Sequence, residues 1–147
     1  MKKALLCIGN SLRGDDGIAL YLGKLVEKEL KDWKVFYGED VPENEFEAIR
    51  NFAPDILVVA DAISGFKEGV SEFLDISDEK TYMYSTHNLP TPVLLSYLRT
   101  ICLKTIFLGI SVLLENVLDF KEGLSKNALH SANLALDKIK LLDKELK

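Results

Sequence analysis

The chain has 147 residues, 48% of them hydrophobic, which is enough for one core and too few for two ordinary domains, so a single domain spanning 1–147 is expected. Its 23 acidic and 18 basic residues give a net charge of −5 with no basic stripe, which argues against a nucleic-acid partner. No apolar stretch reaches the roughly 20 residues that cross a bilayer, and "MKKALLCIGN" lacks the apolar core and cleavage site of a secretory signal; a cytoplasmic protein without membrane insertion is expected.

"ALLCI" (Ala4 to Ile8) is a continuously apolar run, the pattern of a strand covered on both faces. From Ile18 the spacing becomes helical, with Ile18, Leu22, Leu25 and Val26 on one side and Lys24, Glu27, Lys28 and Lys31 on the other. "KVFY" (Lys34 to Tyr37) reads as a second strand, and "ENEFEAIRNF" as a short helix presenting Phe46, Ile49 and Phe52. Pro54-Asp55 breaks the chain before "ILVVA" (Ile56 to Ala60), a third strand closed by Asp61.

"VSEFLDI" mixes apolar and polar residues and reads as a half-exposed edge strand. "NLPTPVLLSYLRTI" predicts a helix with Pro90 and Pro92 at its start, where first-turn amides have no intrahelical partner. "KTIFLGISV" predicts another buried strand. A long amphipathic helix follows, with Ala128, Ala132, Leu136, Ile139 and Leu142 on one face and Ser125 as its N-cap. Strands alternating with helices imply right-handed crossovers, hence a three-layer α/β/α domain with a largely parallel five-stranded sheet and one antiparallel edge strand. Cys7 and Cys102 are far apart and each lies in an apolar segment, so they read as buried reduced thiols.

Ligands of open α/β sheets bind beyond the carboxyl ends of the strands. "GNSLRGDDG" places Asp15 and Asp16 after the first strand, Asp61 ends the third, and "STHNLP" brings His87 after the edge strand. One of the acidic pair is expected to cap the helix that begins near Gly17, and the glycines leave the other free to face a ligand. Two carboxylates and an imidazole make an oxygen and nitrogen donor set suited to nickel or zinc. His130 lies off the apolar face of the last helix and is assigned to the surface. No phosphate-binding loop, dinucleotide turn or GxSxG nucleophile elbow is present.

"LLCIGNSLRGDDG", "PENEFEAIR", "LVVADAI", "STHNLP" and "IFLGI", in this order from about Leu5 to Ile110, closely resemble the hydrogenase maturation proteases, particularly the branch serving the hydrogenase of formate hydrogenlyase systems. The resemblance implies an endopeptidase that removes a C-terminal extension from the precursor of a nickel-iron hydrogenase large subunit after nickel insertion. It also implies Asp16, Asp61 and His87 as metal-contacting and catalytic residues, with nickel supplied by the substrate and zinc as another fitting metal. Gly14, Asp15 and Gly17 would shape the loop, and Asn10 would orient it or bond the substrate backbone. A monomer docking one-to-one with its client suffices for this role.

The chain departs from the family pattern at Tyr37-Gly38-Glu39-Asp40, where many relatives have Asp-Gly, and at Ser111-Val112, where close relatives have Gln-Pro. Two alternatives use the same residues. A nickel-dependent chaperone would bind the large subunit through the triad without cutting. A phosphoacceptor receiver domain also has acids after its first and third strands, but its acidic pair follows the strand at once and its lysine ends the last strand, whereas Lys104 here begins one.

Overall fold

The computed structural model describes residues 1–64, 70–75, 89–118 and 120–147. Within these, β1 (Lys3–Ile8), β2 (Trp33–Glu39), β3 (Ile56–Ile63), β4 (Ser71–Leu74) and β5 (Thr105–Ser111) form one sheet in the order β2-β1-β3-β5-β4. The pairs β1–β2, β1–β3 and β3–β5 are parallel, and β4 runs antiparallel to β5 at the edge, as the mixed pattern of "SEFL" predicts. Helices α1 (Ile18–Glu29), α2 (Phe46–Phe52), α3 (Thr91–Ile101) and α4 (Lys126–Glu145) cover the sheet.

Alternation along the strands divides the core between two faces. Leu5, Cys7, Val58, Ala60, Ala62, Leu108 and Ile110 pack with Ile18, Leu22 and Val26 of α1 and the alanine-rich stripe of α4. Ala4, Leu6, Ile8, Leu57, Val59, Ile63 and Phe107 meet Ile49 of α2 and Leu94, Leu95 and Leu98 of α3. Two helix layers therefore sandwich one sheet, which is the expected three-layer arrangement. Both cysteines are buried free thiols, and removing Cys7 from water holds its thiol far above the usual cysteine range.

At the amino edge of the sheet a buried ionic cluster ties β1 to the last helix. Lys3 Nζ lies 2.5 Å from Asp143 Oδ1 and 2.5 Å from Asp32 Oδ2, and Trp33 Nε1 donates to Asp143 Oδ1 at 2.9 Å. Burial alone would lower the Lys3 pKa, but the carboxylates of Asp143 and Asp32 outweigh it and hold the ammonium above the ordinary lysine value. Burial likewise works against the Asp143 carboxylate, and its hydrogen bonds from Lys3 and Trp33, with the charges of Lys3 and Lys147, hold it below the ordinary aspartate value.

Candidate active site at the carboxyl edge

Parallel strands β1 and β3 end at the same edge of the sheet, and the chain leaving β1 is shaped for a tight return into α1. Gly9 takes φ +152, and Gly9 N–H donates to the Glu39 carbonyl at 2.8 Å. Asn10 builds a local turn: its Oδ1 accepts from Leu12 N–H at 2.9 Å and its carbonyl accepts from Arg13 N–H at 3.0 Å. A single 3-10 turn, Gly14–Gly17, then leads into α1.

The two adjacent acids have different partners. Asp16 Oδ2 accepts from the Asn10 backbone N–H at 2.8 Å, which folds the turn back over the end of β1. Asp15 reaches across to α4: Oδ1 accepts from Ser125 N–H at 2.8 Å and Oδ2 from Ser125 Oγ–H at 2.6 Å. The same Ser125 Oγ accepts from Ala128 N–H at 3.1 Å, so it caps α4 as its sequence position predicts. The expectation that one acid of the pair caps α1 is corrected. Gly17 is the N-cap residue of α1 and no side chain bonds there, because the carboxylates are engaged by Asn10 and by Ser125.

Asp61 needs a second correction. It does not close β3, which continues through Ala62 to Ile63; Asp61 sits inside the strand opposite Gly109 of β5. It has the parity of Leu57, Val59 and Ile63, so it belongs to the face covered by α2 and α3. The Gly14–Gly17 turn packs against β3, which brings the elements bearing Asp16 and Asp61 together at this edge. Both acids are buried, at 3% and 5% exposure.

Helix α3 passes almost directly into β5, so its first turn at Thr91 lies toward the same carboxyl edge. His87 precedes that helix in the chain and lies outside the described residues. Among the described residues no group of three His, Cys, Asp or Glu is arranged to hold a metal ion. His130 is exposed on α4, as assigned.

Glycines at two points allow the close approach. A Cβ on Gly9 would stand 2.0 Å from the Asp16 carbonyl oxygen, and one on Gly14, at φ +56, would stand 2.5 Å from the Asn116 carbonyl oxygen. Gly9→Ala is therefore expected to push the acidic turn off the strand end at a cost of about 2 kcal/mol, read as a fall of several degrees in Tm. An unchanged Tm would show that the turn has slack which the packing does not reveal.

Comparison with known proteins supplies the family. The Hydrogenase 3 maturation protease of Escherichia coli K12 is 37% identical over 113 residues, covering 75% of this chain and 72% of that protein. The chain belongs to the hydrogenase maturation protease family. No family model matches it. The solution structure of an endopeptidase HycI from Escherichia coli superposes on this maturation protease with a TM-score of 0.82 at 29% identity, covering 97% and 92% of the two chains. The crystal structure of an uncharacterized protein from Wolinella succinogenes matches at 61% identity and a TM-score of 0.85, with 100% of both chains covered.

The maturation protease is thus a peptide hydrolase, and the alternatives of a non-cutting chaperone and a receiver domain are not favoured. No helix among the described residues is long and apolar enough to cross a membrane. Sequence reasoning missed Ser125 as the anchor of Asp15, although its N-cap position was evident. It also did not single out the exposed apolar residues beside this turn, for which "LDF" (Leu118 to Phe120), two large apolar residues around an acid and followed by Lys121, was the available signal.

Proposed function

We propose that this protease removes the C-terminal extension of a nickel-iron hydrogenase large-subunit precursor once nickel has been inserted. The observation that carries the proposal is the pair of buried carboxylates, Asp16 and Asp61, on packed elements at one sheet edge in a chain of this family. Nickel held by the precursor is cargo of the substrate. Asp16, Asp61 and His87 are the ligands the protease offers to it, a donor set that would also suit zinc.

Burial supports this role. A carboxylate in a medium of low polarity responds strongly to an incoming cation, so loaded and empty precursors differ in affinity. Each tenfold preference corresponds to about 1.4 kcal/mol, which a few metal-ligand bonds supply readily. With the precursor docked, Asp16 or Asp61 is the candidate general base for water attack on the peptide bond, and Asn10 holds the Asp16 carboxylate in place. Gly14 and Gly17 give the turn its path, and Asp15 fastens it to α4. We place the reaction in the cytoplasm, a reducing compartment in which the thiols of Cys7 and Cys102 stay free.

The test is to incubate the protease with nickel-loaded and with nickel-free precursor and weigh the products by mass spectrometry. Trimming of the loaded precursor alone is expected. Equal trimming of both would remove nickel recognition from the mechanism, and intact precursor bound in both cases would restore the chaperone reading.

A further inference from the structure

Beside the acidic turn, three large apolar side chains stand in solvent: Phe120 at 74% exposure, Leu12 at 55% and Leu118 at 46%. Their backbone is firmly held. Lys121 N–H donates to the Leu12 carbonyl at 2.8 Å, and Gly14 N–H donates to the Lys121 carbonyl at 2.7 Å, forming a parallel bridge between Arg13 and Lys121. The Arg13 guanidinium donates from Nη1 to the Leu118 carbonyl at 2.9 Å and lies 4.6 Å from the centroid of the Phe120 ring. The apolar groups are thus braced outward. An exposed aromatic against an arginine pairs two residue types that are enriched at interface centres, arginine also among their energetic anchors, and the leucines add apolar area around it.

We propose that Leu12, Leu118 and Phe120, braced by Arg13, form the docking face for the folded body of the protein substrate, separate from the segment that is cut. This rests on the reading of the chain as a processing endopeptidase. Continuity selects the substrate as the occupant: Leu12 and Arg13 lead directly into Gly14–Gly17, and Lys121 is hydrogen-bonded to both Leu12 and Gly14, so the patch adjoins the acidic turn to which the substrate is brought. Shape selects its folded body. Phe120 projects, which suits a concave apolar pocket on a folded surface, whereas an extended tail needs a groove. One groove beside this turn is a cleft of about 320 Å³ lined by Asn10, Leu12, Glu39 and Val41. Leu12 lines this cleft and is also one of the exposed apolar residues of the patch, so body and tail would meet at that residue.

The experiment compares the wild type with Phe120→Ser and Leu12→Ser, using nickel-loaded full-length precursor. Binding is measured by calorimetry, cleavage by steady-state kinetics and folding by thermal melting. Phe120→Ser is expected to weaken binding about 30-fold and to raise KM accordingly. Its kcat should stay within about twofold and its Tm should not move, because an exposed side chain contributes little to the core. Unchanged binding by both variants would overturn the docking face, as would a loss confined to kcat. Failure of the wild type to cleave would instead overturn the endopeptidase reading. The calorimetric comparison would still decide the docking face, since it requires no turnover.

Discussion

Asp16→Asn is expected to lower processing of nickel-loaded precursor by at least about 100-fold while leaving the fold intact. The asparagine amide keeps an oxygen where Oδ2 accepts the Asn10 N–H at 2.8 Å, so the turn over the end of β1 survives. What is lost is the negative charge. The hydrogen bond passes from charge-assisted to neutral, a change of about 1 kcal/mol, which is small against the expected catalytic loss. A gel-based processing assay read beside a thermal melt separates the two effects.

Asp15→Asn should behave in the opposite way. Its carboxylate receives both the N–H and the hydroxyl of Ser125; the amide can keep the first through its oxygen but must reverse the second, with Nδ2–H donating to an Oγ that already accepts from Ala128 N–H, and both bonds lose their charge assistance. Its main effect falls on the anchorage of the turn to α4. If Asp16 and Asp61 act as one unit, Asp61→Asn added to Asp16→Asn costs little beyond the first substitution. Processing by Asp16→Asn at the wild-type rate would remove that carboxylate from the chemistry.

The contrast between the two acids shows where sequence reading reaches and where it stops. Continuous apolar runs made β1 and β3 legible, and the stripe from Ala128 to Ile139 made α4 legible, because burial on two faces or on one stripe leaves a periodic trace. Ser125 was legible as a cap because the signal is local. That Asp15 would be its partner was not, since the two lie 110 positions apart and only the closed fold brings them together. Asp61 was expected at a strand end, because a charged residue looks like a terminus to any reading based on hydrophobic runs. Inside β3 it is flanked by Ala60 and Ala62, which keep the strand buried around it. His87, the third member of the proposed set, lies outside the described residues, so the resemblance alone supports its place.

Lys3→Met is expected to destabilise the protein by about 3–5 kcal/mol at neutral pH, the range for removing one partner of a buried ion pair. Lys3 and Asp143 are both buried, whereas the Asp32 side chain is 61% exposed and is discounted. Without Lys3, Asp143 keeps the Trp33 N–H at 2.9 Å and an exposed Lys147 ammonium at 3.8 Å, which compensate its burial poorly. For a chain of this size the loss corresponds to a Tm lower by about 10 °C. The pH dependence gives a second readout with a definite sign. In the wild type the depressed Asp143 pKa adds stability above the unfolded value of 3.8, and this is lost as pH falls through the lower folded value. The raised Lys3 pKa adds stability below 10.5, which is lost as pH rises through the higher folded value. Between these limits the contribution is flat. In Lys3→Met, burial instead favours protonated Asp143 and raises its pKa above 3.8, so the gap from wild type should begin to narrow above that pH, as the variant's stranded charge is neutralised, and narrow further below it, as the wild type loses its own contribution. The double variant Lys3→Met/Asp143→Asn removes the stranded charge while leaving an oxygen for Trp33, and should recover most of the loss. A gap that stays constant down to acid unfolding, with no recovery in the double variant, would assign the effect to packing around the lysine stem and not to its charge.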